Sequence, residues 1–480
     1  MRLSDDAMYR HFLQRDSACN GKFLTGVIST GIYCLPSCPA RRPKRENIRF
    51  FRTLPEAQQS GLRPCRRCHP DFFYRGAEWH ENLYEETAAR VRRDLAAFRD
   101  ISSLTTAAGL SRTALNDLFR IHAHESPAAF LRRLRVEQVC RLLEQGMRPS
   151  DAAAAAGFDS ASAFHEQFVA RTGLTPAVYG ALQPGADFTL KLPPHYRFRE
   201  VLDFYGRDPL SVSESVEPEG VKKAFLNGGR ACLLEIRFTS TGAVCHSDAP
   251  DIYAAHRVAA RMLGIDSDAS GFERQFAGDP LLGDIVTRQR GLRIPLTPEP
   301  WEALGWAIIG QQISLKAAVT LRRELIGAVG ERHSTGLRAH PTAEAVANLN
   351  VDALRRLKFS GSKAEYLLAA ARAVASGELP LPALRAMSAL RGARLMGQIR
   401  GIGPWTVQYC SLRGLGFADC LPAGDAGLAQ GLQRLAGDRP VEAQTRELMA
   451  RYAPNRSLAT YHIWASLPSR DREGVVLRSE

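Results

Sequence analysis

Two closely spaced cysteine pairs constrain the first part of this chain more than any other feature. Cys34 and Cys38 form a C-x3-C pair, and Cys65 and Cys68 form a C-x2-C pair. Pairs at this spacing are typical of four thiolates that hold one tetrahedral zinc ion. Arginines follow the first pair and surround the second, which favours binding to a polyanion such as a nucleic acid. A purely structural zinc site is the alternative. We therefore predict one bound Zn²⁺.

Length and charge limit the architecture and the partners. The chain has 480 residues and a formal net charge of +13, so we expect several domains and a nucleic-acid partner. The six cysteines outside the pairs are scattered, which is typical of a reducing cytosol. The sequence contains neither a secretion signal nor an apolar run long enough to span a bilayer. We expect a cytoplasmic protein that has no membrane partner.

A repeated helical pattern occupies residues 82–182. In each copy a glycine turn precedes a serine that can cap the next helix: Gly109 with Ser111, and Gly157 with Ser160. An ordinary helical corner can produce one such pattern, but the repetition favours a duplicated helix-turn-helix. The second helix of each copy is then a candidate for the DNA major groove.

These candidate recognition helices cover residues 111–121 and 160–171. Both contain side chains that can reach base edges or phosphates. Arg112 and Arg120 are the DNA-binding candidates in the first of them. Beyond this region, short apolar runs up to about Pro295 predict antiparallel strands. From Trp301 the pattern predicts helices again.

A glycine turn near the C-terminus marks a second chemical site. In QIRGIGPWTVQY, residues 398–409, Gly401 and Gly403 permit a tight hairpin whose amides can hold a DNA phosphate. Asp425 follows in LPAGDAGL. Such an Asp is most often a helix cap, but the hairpin and the nearby aromatic residues favour a catalytic carboxylate. The residues expected to line a pocket for a flipped base are Trp405, Tyr409 and Trp464.

Three resemblances cover nearly the whole chain. Residues 1 to about 75, with TGIYC, PSC and RPC-x-x-C, resemble the zinc domain of Ada-type DNA methylphosphotriester repair proteins. Residues 82–182, ending in TGLTPAVY, resemble an AraC-type DNA-binding domain. Residues 188–470, with IIGQQIS, GIGPWT, LPAGDAGL and NRSLATYHIW, resemble AlkA-type 3-methyladenine DNA glycosylases of the helix-hairpin-helix superfamily.

The resemblance implies a multidomain, mainly α fold. A small α+β zinc domain and an α+β subdomain with an antiparallel sheet accompany an all-α helix-hairpin-helix glycosylase domain. The expected domains are the zinc and methyl-acceptor domain at 1–78, the double helix-turn-helix at 82–182, the α+β subdomain at 188–296 and the glycosylase domain at 297–470. The resemblance also leads us to expect neither an iron–sulfur cluster nor a bound nucleotide.

Residue roles follow from the same resemblance. Cys34 matches the methyl-accepting nucleophile. The zinc ion is expected to stabilise the domain and to activate the Cys34 thiolate. Asp425 matches the carboxylate that stabilises an oxocarbenium-like sugar. Trp405 stands where bifunctional relatives carry a lysine, so no Schiff base and no lyase step are expected. Gln312 replaces a leucine wedge, and Asn455 replaces an aromatic residue. The candidate DNA-binding residues are Gly401, Gly403, Thr406, Gln312, Arg41, Arg42, Arg45, Arg112 and Arg120.

The implied function combines repair and regulation. A monofunctional glycosylase for alkylated bases is fused to a domain that takes methyl groups from phosphotriesters and to a sequence-specific regulator. The expected partners are alkylated and promoter double-stranded DNA, with RNA polymerase as a candidate, and the protein is expected to be a monomer. One alternative is a regulator of the alkylation response whose glycosylase domain only senses damage. The other is a glycosylase that its N-terminal domains merely anchor to DNA.

Overall fold

The computed structural model describes residues 3–467, except for the side chains of residue 72 and residues 75–78. The predicted domain at 297–470 therefore ends three residues beyond the described range. Contacts divide the chain into two compact units. The first contains residues 3–94 and 100–122, and the second contains residues 95–99 and 123–467. The predicted region 82–182 contributes helices to both.

The first unit combines a small sheet with helices. The strands pair in the order β3-β1-β2-β4, where β1 is antiparallel to β2 and β3, and β2 is parallel to β4. Short 3-10 turns join some of the elements. The elements are α1 (Asp5–Gln14), β1 (Leu24–Val27), β2 (Ile32–Cys34), β3 (Ile48–Phe51), α2 (Leu54–Gln59), β4 (Arg63–Pro64), α3 (Pro70–Arg93), α4 (Ile101–Ala108) and α5 (Arg112–His122).

The predicted first helix turn is present between α4 and α5. Gly109 adopts a left-handed conformation (φ +65°) at the end of α4, where a residue without Cβ is favoured. The Ser111 hydroxyl accepts a hydrogen bond from the Ala114 amide (3.3 Å) and so caps α5. The cap signals read from the sequence therefore fix this turn.

The second unit begins with the other helix-turn-helix pattern and a five-stranded sheet. Ser160 caps α8 as predicted, because its hydroxyl accepts from the Ala163 amide. The sheet order is β5-β9-β8-β7-β6, and all pairs are antiparallel. The elements are α6 (Pro127–Glu144), α7 (Pro149–Ala155), α8 (Ala161–Thr172), α9 (Pro176–Gly180), β5 (Phe188–Leu190), α10 (Phe198–Tyr205), β6 (Glu214–Glu217), β7 (Gly220–Asn227), β8 (Arg230–Thr239) and β9 (Gly242–Ser247).

The remainder of the second unit is helical. Helices α14, α15, α18 and α20 share one large apolar core, and α12, α13, α21 and α23 share another. The helices are α11 (Ile252–Leu263), α12 (Ser270–Phe276), α13 (Gly283–Arg288), α14 (Pro300–Gly310), α15 (Leu315–Val329), α16 (Ala343–Ala347), α17 (Val351–Arg356), α18 (Gly361–Ala375), α19 (Ala389–Gly397), α20 (Pro404–Arg413), α21 (Ala426–Ala436), α22 (Glu442–Met449) and α23 (Arg456–Ser466).

A buried cluster of four charges joins the sheet to the helical part of this unit. Lys223 Nζ of β7 donates to Glu214 of β6 (2.9 Å) and to Glu302 of α14 (3.0 Å). Arg322 of α15 donates to the same two carboxylates at 2.7 Å each. All four side chains are at most 5% exposed. Two cations pair with two anions, so the cluster joins α14 and α15 to the sheet, and the ion pairs offset the cost of burying the four charges.

The architecture confirms the predicted fold class. A small α+β region holds the cysteine pairs, and an antiparallel sheet precedes an all-helical C-terminal part. Across residues 3–467, none of the helices combines the length and the apolar character that crossing a membrane requires.

Candidate functional site

The four predicted cysteines converge in the first unit. The sulfur atoms of Cys34, Cys38, Cys65 and Cys68 all lie within 4.8 Å of one another. Cys34 ends β2, and the tight turn after β4 supplies the second pair. Two backbone amides donate to sulfur atoms. The Leu35 amide donates to Cys68 Sγ (3.3 Å), and the Arg67 amide donates to Cys65 Sγ (3.4 Å).

This arrangement fits a tetrahedral zinc ion. With zinc–sulfur bonds of about 2.3 Å, the sulfur–sulfur edges of a tetrahedron measure about 3.8 Å, which the observed spacing accommodates. Hydrogen bonds from neighbouring thiols, first that of Cys34, lower the pKa values of Cys38 and Cys65. The pKa values of Cys34 and Cys68 are raised instead, that of Cys34 by hydrogen bonds from Cys38, Cys65 and Cys68, so two of the four thiols ionise more readily than the other two. Cys34 is only 3% exposed, whereas Cys68 is the most accessible of the four.

The glycine hairpin lies between α19 and α20. Gly401 adopts φ +87°, and a Cβ on it would stand 2.1 Å from Tyr366 Cγ. Only glycine fits there. Gly403 is extended and caps the N-terminus of α20, where free backbone amides are available to an anion. The hairpin has the backbone geometry expected for binding a DNA phosphate through its amides.

Asp425 is held by the two tryptophans that flank it in space. Its Oδ2 accepts from Trp405 Nε1 (3.0 Å), and its Oδ1 accepts from Trp464 Nε1 (2.9 Å). Oδ1 also accepts from the Leu428 amide (2.7 Å), so Asp425 is the cap of α21 as well. Burial raises the pKa of this carboxyl, and the hydrogen bonds partly offset the rise. The cap and the catalytic interpretation are therefore compatible.

A cavity of about 180 Å³ opens beside this carboxylate. Tyr409 and Trp464 form part of its wall, with ring centroids 6.2 Å apart. The cavity is predominantly apolar and large enough to admit a planar ring system. Asp425 therefore stands at the edge of an aromatic slot, the arrangement required to act on a base that has left the helix.

Comparisons with known proteins agree with this geometry. Residues 7–71 match the metal-binding domain of Ada, and residues 104–181 match a helix-turn-helix domain. Residues 187–299 match the AlkA N-terminal domain. Residues 306–455 match the HhH-GPD superfamily of base excision DNA repair proteins.

A relative that matches nearly the whole chain decides the family. A probable bifunctional transcriptional activator/DNA repair enzyme AlkA from Mycobacterium tuberculosis is 30% identical over 485 residues, covering 96% of both chains. The chain belongs to this family of bifunctional activator/repair proteins. The bifunctional transcriptional activator/DNA repair enzyme Ada of Escherichia coli is 30% identical over 173 residues, 36% of this chain and 48% of Ada.

The structural comparison supports the fold of the C-terminal part. A 3-methyladenine DNA-glycosylase from Archaeoglobus fulgidus superimposes with a TM-score of 0.52 at 23% identity. The match covers 58% of this chain and 97% of the archaeal one. The helix-hairpin-helix glycosylase fold predicted from the sequence is thus confirmed for the C-terminal part of this chain.

Two predicted site residues are placed differently from expectation. Thr406 is fully buried, and its hydroxyl accepts from Gln311 Nε2 (2.9 Å). The hydroxyl therefore faces the protein, and the predicted DNA contact of Thr406 is left to its backbone. Trp405 does not line the cavity: it lies behind Tyr409, with ring centroids 5.3 Å apart. Its indole N–H donates to Asp425 instead.

The predicted DNA-contacting arginines fall into two groups. Arg41, Arg45, Arg112 and Arg120 are exposed, as a phosphate contact requires. Arg42 is half-buried, with its guanidinium 4.1 Å from the Phe12 ring and a 3.3 Å hydrogen bond to the Cys38 carbonyl. It therefore supports the cysteine cluster, and its contact with DNA stays a prediction.

The cavity also contains charged residues that the motifs did not indicate. Arg207 lies in the FYGRDP segment after α10, and Arg413 ends α20. Burial lowers the pKa of Arg207, but a guanidinium stays protonated at neutral pH. The sequence signal for a charged residue in the cavity was the arginine that closely follows Phe204, near the start of the sheet subdomain. No motif in the sequence links Arg207 to Asp425, which is far away along the chain.

A buried lysine supports the turn that presents Gln312. Gln312 is exposed and has φ +57°, an unfavourable conformation for a non-glycine residue. Lys363 Nζ donates to the adjacent Gln311 carbonyl (2.7 Å), and Gln311 Nε2 donates to the Gly401 carbonyl (2.8 Å). Burial lowers the pKa of Lys363 to about 8. Lys363 and Gln311 thus connect the Gln312 turn to the glycine hairpin.

Replacing Lys363 with methionine should loosen this turn without removing any DNA-facing group. We expect affinity for duplex DNA containing an abasic-site analogue to fall about tenfold, the loss typical of one charge-assisted hydrogen bond. Fluorescence anisotropy measures this. Lys222→Met, on the exposed face of β7, is the matched control. Unchanged affinity in a folded Lys363→Met protein would contradict a positioning role for Lys363.

Proposed function

We propose that this chain repairs alkylated DNA in two ways and regulates the response to alkylation. Its C-terminal part hydrolyses the N-glycosidic bond of alkylated bases, of which 3-methyladenine is the type. Its zinc-thiolate domain accepts methyl groups from DNA methylphosphotriesters. Its helix-turn-helix region binds promoter DNA. The observation that carries the proposal is a carboxylate, Asp425, oriented by two indole groups at the edge of an aromatic cavity.

The glycosylase step follows from this geometry. The flipped base enters the slot beside Tyr409 and Trp464, and the glycosidic electron pair leaves with the base. The Asp425 carboxylate stabilises the positive charge that develops on the sugar and orients the water that adds to it. Trp405 supplies no amine, so the sugar is released by hydrolysis alone.

The methyl transfer step is assigned to Cys34. Its sulfur bonds to the methyl carbon, the methyl–oxygen bond breaks, and the electron pair returns to the phosphate oxygen, which leaves a normal diester. Cys34, Cys38, Cys65 and Cys68 would hold the zinc ion, which would keep their thiols deprotonated. The thioether carries one negative charge less than the thiolate, which reduces repulsion from DNA phosphates. Methylation should therefore raise affinity for promoter DNA and turn the protein into an activator.

The competing function is a regulator that only senses damaged bases. The cap of α21 uses only the hydrogen bond from Leu428, so the two tryptophan contacts, which orient the carboxylate at the cavity, favour catalysis over sensing. We further propose that the protein acts as a monomer in the bacterial cytosol and contacts RNA polymerase at its promoters. The exposed arginines Arg112 and Arg120 of α5 are proposed DNA contacts.

One experiment tests both repair activities. The protein is incubated with duplex DNA that carries labelled methyl groups, and the label is followed in free bases and on the protein. We expect label in both fractions. Tight binding without free base would favour the sensor, and free base without labelled protein would favour a glycosylase with an anchoring zinc domain. Promoter affinity that stays the same after methylation would count against the regulatory switch.

A further inference from the structure

The helices that follow the two helix-turn-helix patterns begin with the same capping motif. Ser126 caps α6 and Thr175 caps α9, and each helix starts with a proline. Two residues before each cap the backbone is left-handed, with φ +56° at His124 and φ +72° at Gly173. This conformation suits glycine and is unfavourable for a residue with a Cβ. His124 therefore occupies a position where the backbone favours glycine, and the contacts of its side chain offset that cost.

The His124 side chain contacts the connection between α20 and α21. The Asp419 amide donates to His124 Nδ1 (3.2 Å). The imidazole also meets the Phe417 ring edge-on, with ring centroids 5.1 Å apart. Both partners belong to the connection at 414–425, and Asp425 is the last residue of that connection. His124 therefore holds the segment that carries the proposed catalytic carboxylate.

Three successive amides, those of residues 419–421, anchor this connection. After the bond to His124, the amide of residue 420 donates to Ser457 Oγ of α23 (3.0 Å), and the amide of residue 421 donates to Gln408 Oε1 of α20 (2.8 Å). Asp425 follows four residues later and accepts from the two indoles. A misplacement of about 1 Å in a reacting site can slow catalysis about a hundredfold. We therefore expect loss of the first anchor to affect the carboxylate.

A buried ion pair fixes the position of the residue next to His124. Glu125 Oε1 accepts from Arg133 Nη2 (2.6 Å) and Nε (3.1 Å), and both side chains are at most 15% exposed. Burial opposes ionisation of Glu125, yet the charges of Arg133 and Arg385 lower its pKa below the usual range. The Arg385 guanidinium also lies 4.8 Å from the Phe417 ring centroid. Breaking a buried pair is costly, so the backbone at His124 is firmly held.

This segment also lies where the chain passes from the first unit into the second. Helix α5, which carries the proposed DNA contacts Arg112 and Arg120, ends at His122, and the second unit resumes at residue 123. His124 is thus two residues beyond the end of that helix. The segment between the two helix-turn-helix patterns therefore supplies a side chain that supports the excision site.

We propose that His124 is a positioning residue of the excision site, which holds the connection between α20 and α21 so that the Asp425 carboxylate faces the cavity. This rests on the proposed glycosylase function and adds to it a residue from the helix-turn-helix region. His124 does not line the cavity and touches no reacting atom. Its loss should therefore slow base release at saturation without weakening the binding of damaged DNA.

Two substitutions separate the hydrogen bond from the backbone conformation. His124→Gly keeps the left-handed backbone, as Gly173 does at the equivalent position, but removes the acceptor. We expect the single-turnover rate of base release from methylated duplex DNA to fall about tenfold, with half-saturation and thermal stability close to those of the wild type. His124→Asn tolerates the same backbone and places Oδ1 where Nδ1 stands. It should restore most of the rate.

His195→Gly is the matched control, because His195 is an exposed histidine with the same backbone conformation (φ +59°) in the turn before α10. It should keep the wild-type rate. A wild-type rate in His124→Gly would overturn the inference, as would an equal loss in His195→Gly or a His124→Asn protein as slow as His124→Gly. Weaker DNA binding with an unchanged rate at saturation would assign His124 to DNA contact instead. Absence of base release by the wild type would refute the proposed glycosylase function itself.

Discussion

Exchanging Asp425 for asparagine should abolish base release while leaving the fold intact. Asp425 is the carboxylate of the cavity lining that faces the sugar in the proposed mechanism. Its loss removes electrostatic stabilisation of the oxocarbenium-like state, and we expect the single-turnover rate on methylated duplex DNA to fall about a thousandfold or more. Quantifying free methylated bases by chromatography measures the effect.

The stability of this variant should stay close to that of the wild type. An asparagine oxygen can still accept from Leu428 and Trp464 and keep the cap of α21. Its amide would face the Trp405 N–H, so one hydrogen bond is lost. Removal of a buried charge offsets that loss. Asp438→Asn, at an exposed position after α21, is the matched control and should keep full activity.

The pH dependence gives a second readout of the same group. Burial raises the pKa of Asp425 above its usual range, and only the ionised form supports the reaction. Base release should therefore decline with falling pH, and the decline should begin at a higher pH than for an ordinary aspartate. A pH-independent rate in the wild type, or substantial release by Asp425→Asn, would remove Asp425 from the catalytic role.

Local signals predicted much of this molecule because they act over a few residues. Gly109 and Ser111 determine a turn and a cap, and Gly401 determines the hairpin, since only glycine fits beside Tyr366. The cysteine pairs predicted a cluster because each pair already brings two sulfurs close together. Such features depend on backbone conformation and on short spacings, which the sequence displays directly.

The features that escaped prediction depend on packing between distant segments. Arg207 and Arg413 both lie against the Phe204 ring although they belong to different parts of the chain. Thr406 follows the glycine hairpin closely in sequence, yet its hydroxyl accepts a hydrogen bond from Gln311 at the end of a remote helix and faces the protein. Neither the charge inside the cavity nor the direction of a side chain on a helix can be read from spacing alone.

Exchange of Cys34 for histidine should abolish methyl transfer and keep the zinc site. Three cysteines and one histidine form a common structural zinc site, so the metal should remain bound, whereas the imidazole cannot replace the thiolate nucleophile. We expect no protein-bound methyl after incubation with DNA methylphosphotriesters. In the wild type, mass spectrometry should find one added methyl group on the peptide that contains Cys34, and elemental analysis should find one zinc per chain.

Cys68→His is the matched control, and its choice follows from the exposure of the four ligands. Cys34 is buried, whereas Cys68 is the most accessible sulfur of the cluster. Transfer that persists in Cys34→His and disappears in Cys68→His would reassign the nucleophile to Cys68. With Cys34 as nucleophile, Cys68→His keeps transfer and zinc. Because the cysteine cluster and Asp425 lie in different units, Cys34→His should still release bases and Asp425→Asn should still accept methyl groups. Loss of both activities in either variant would mean that the two sites are coupled.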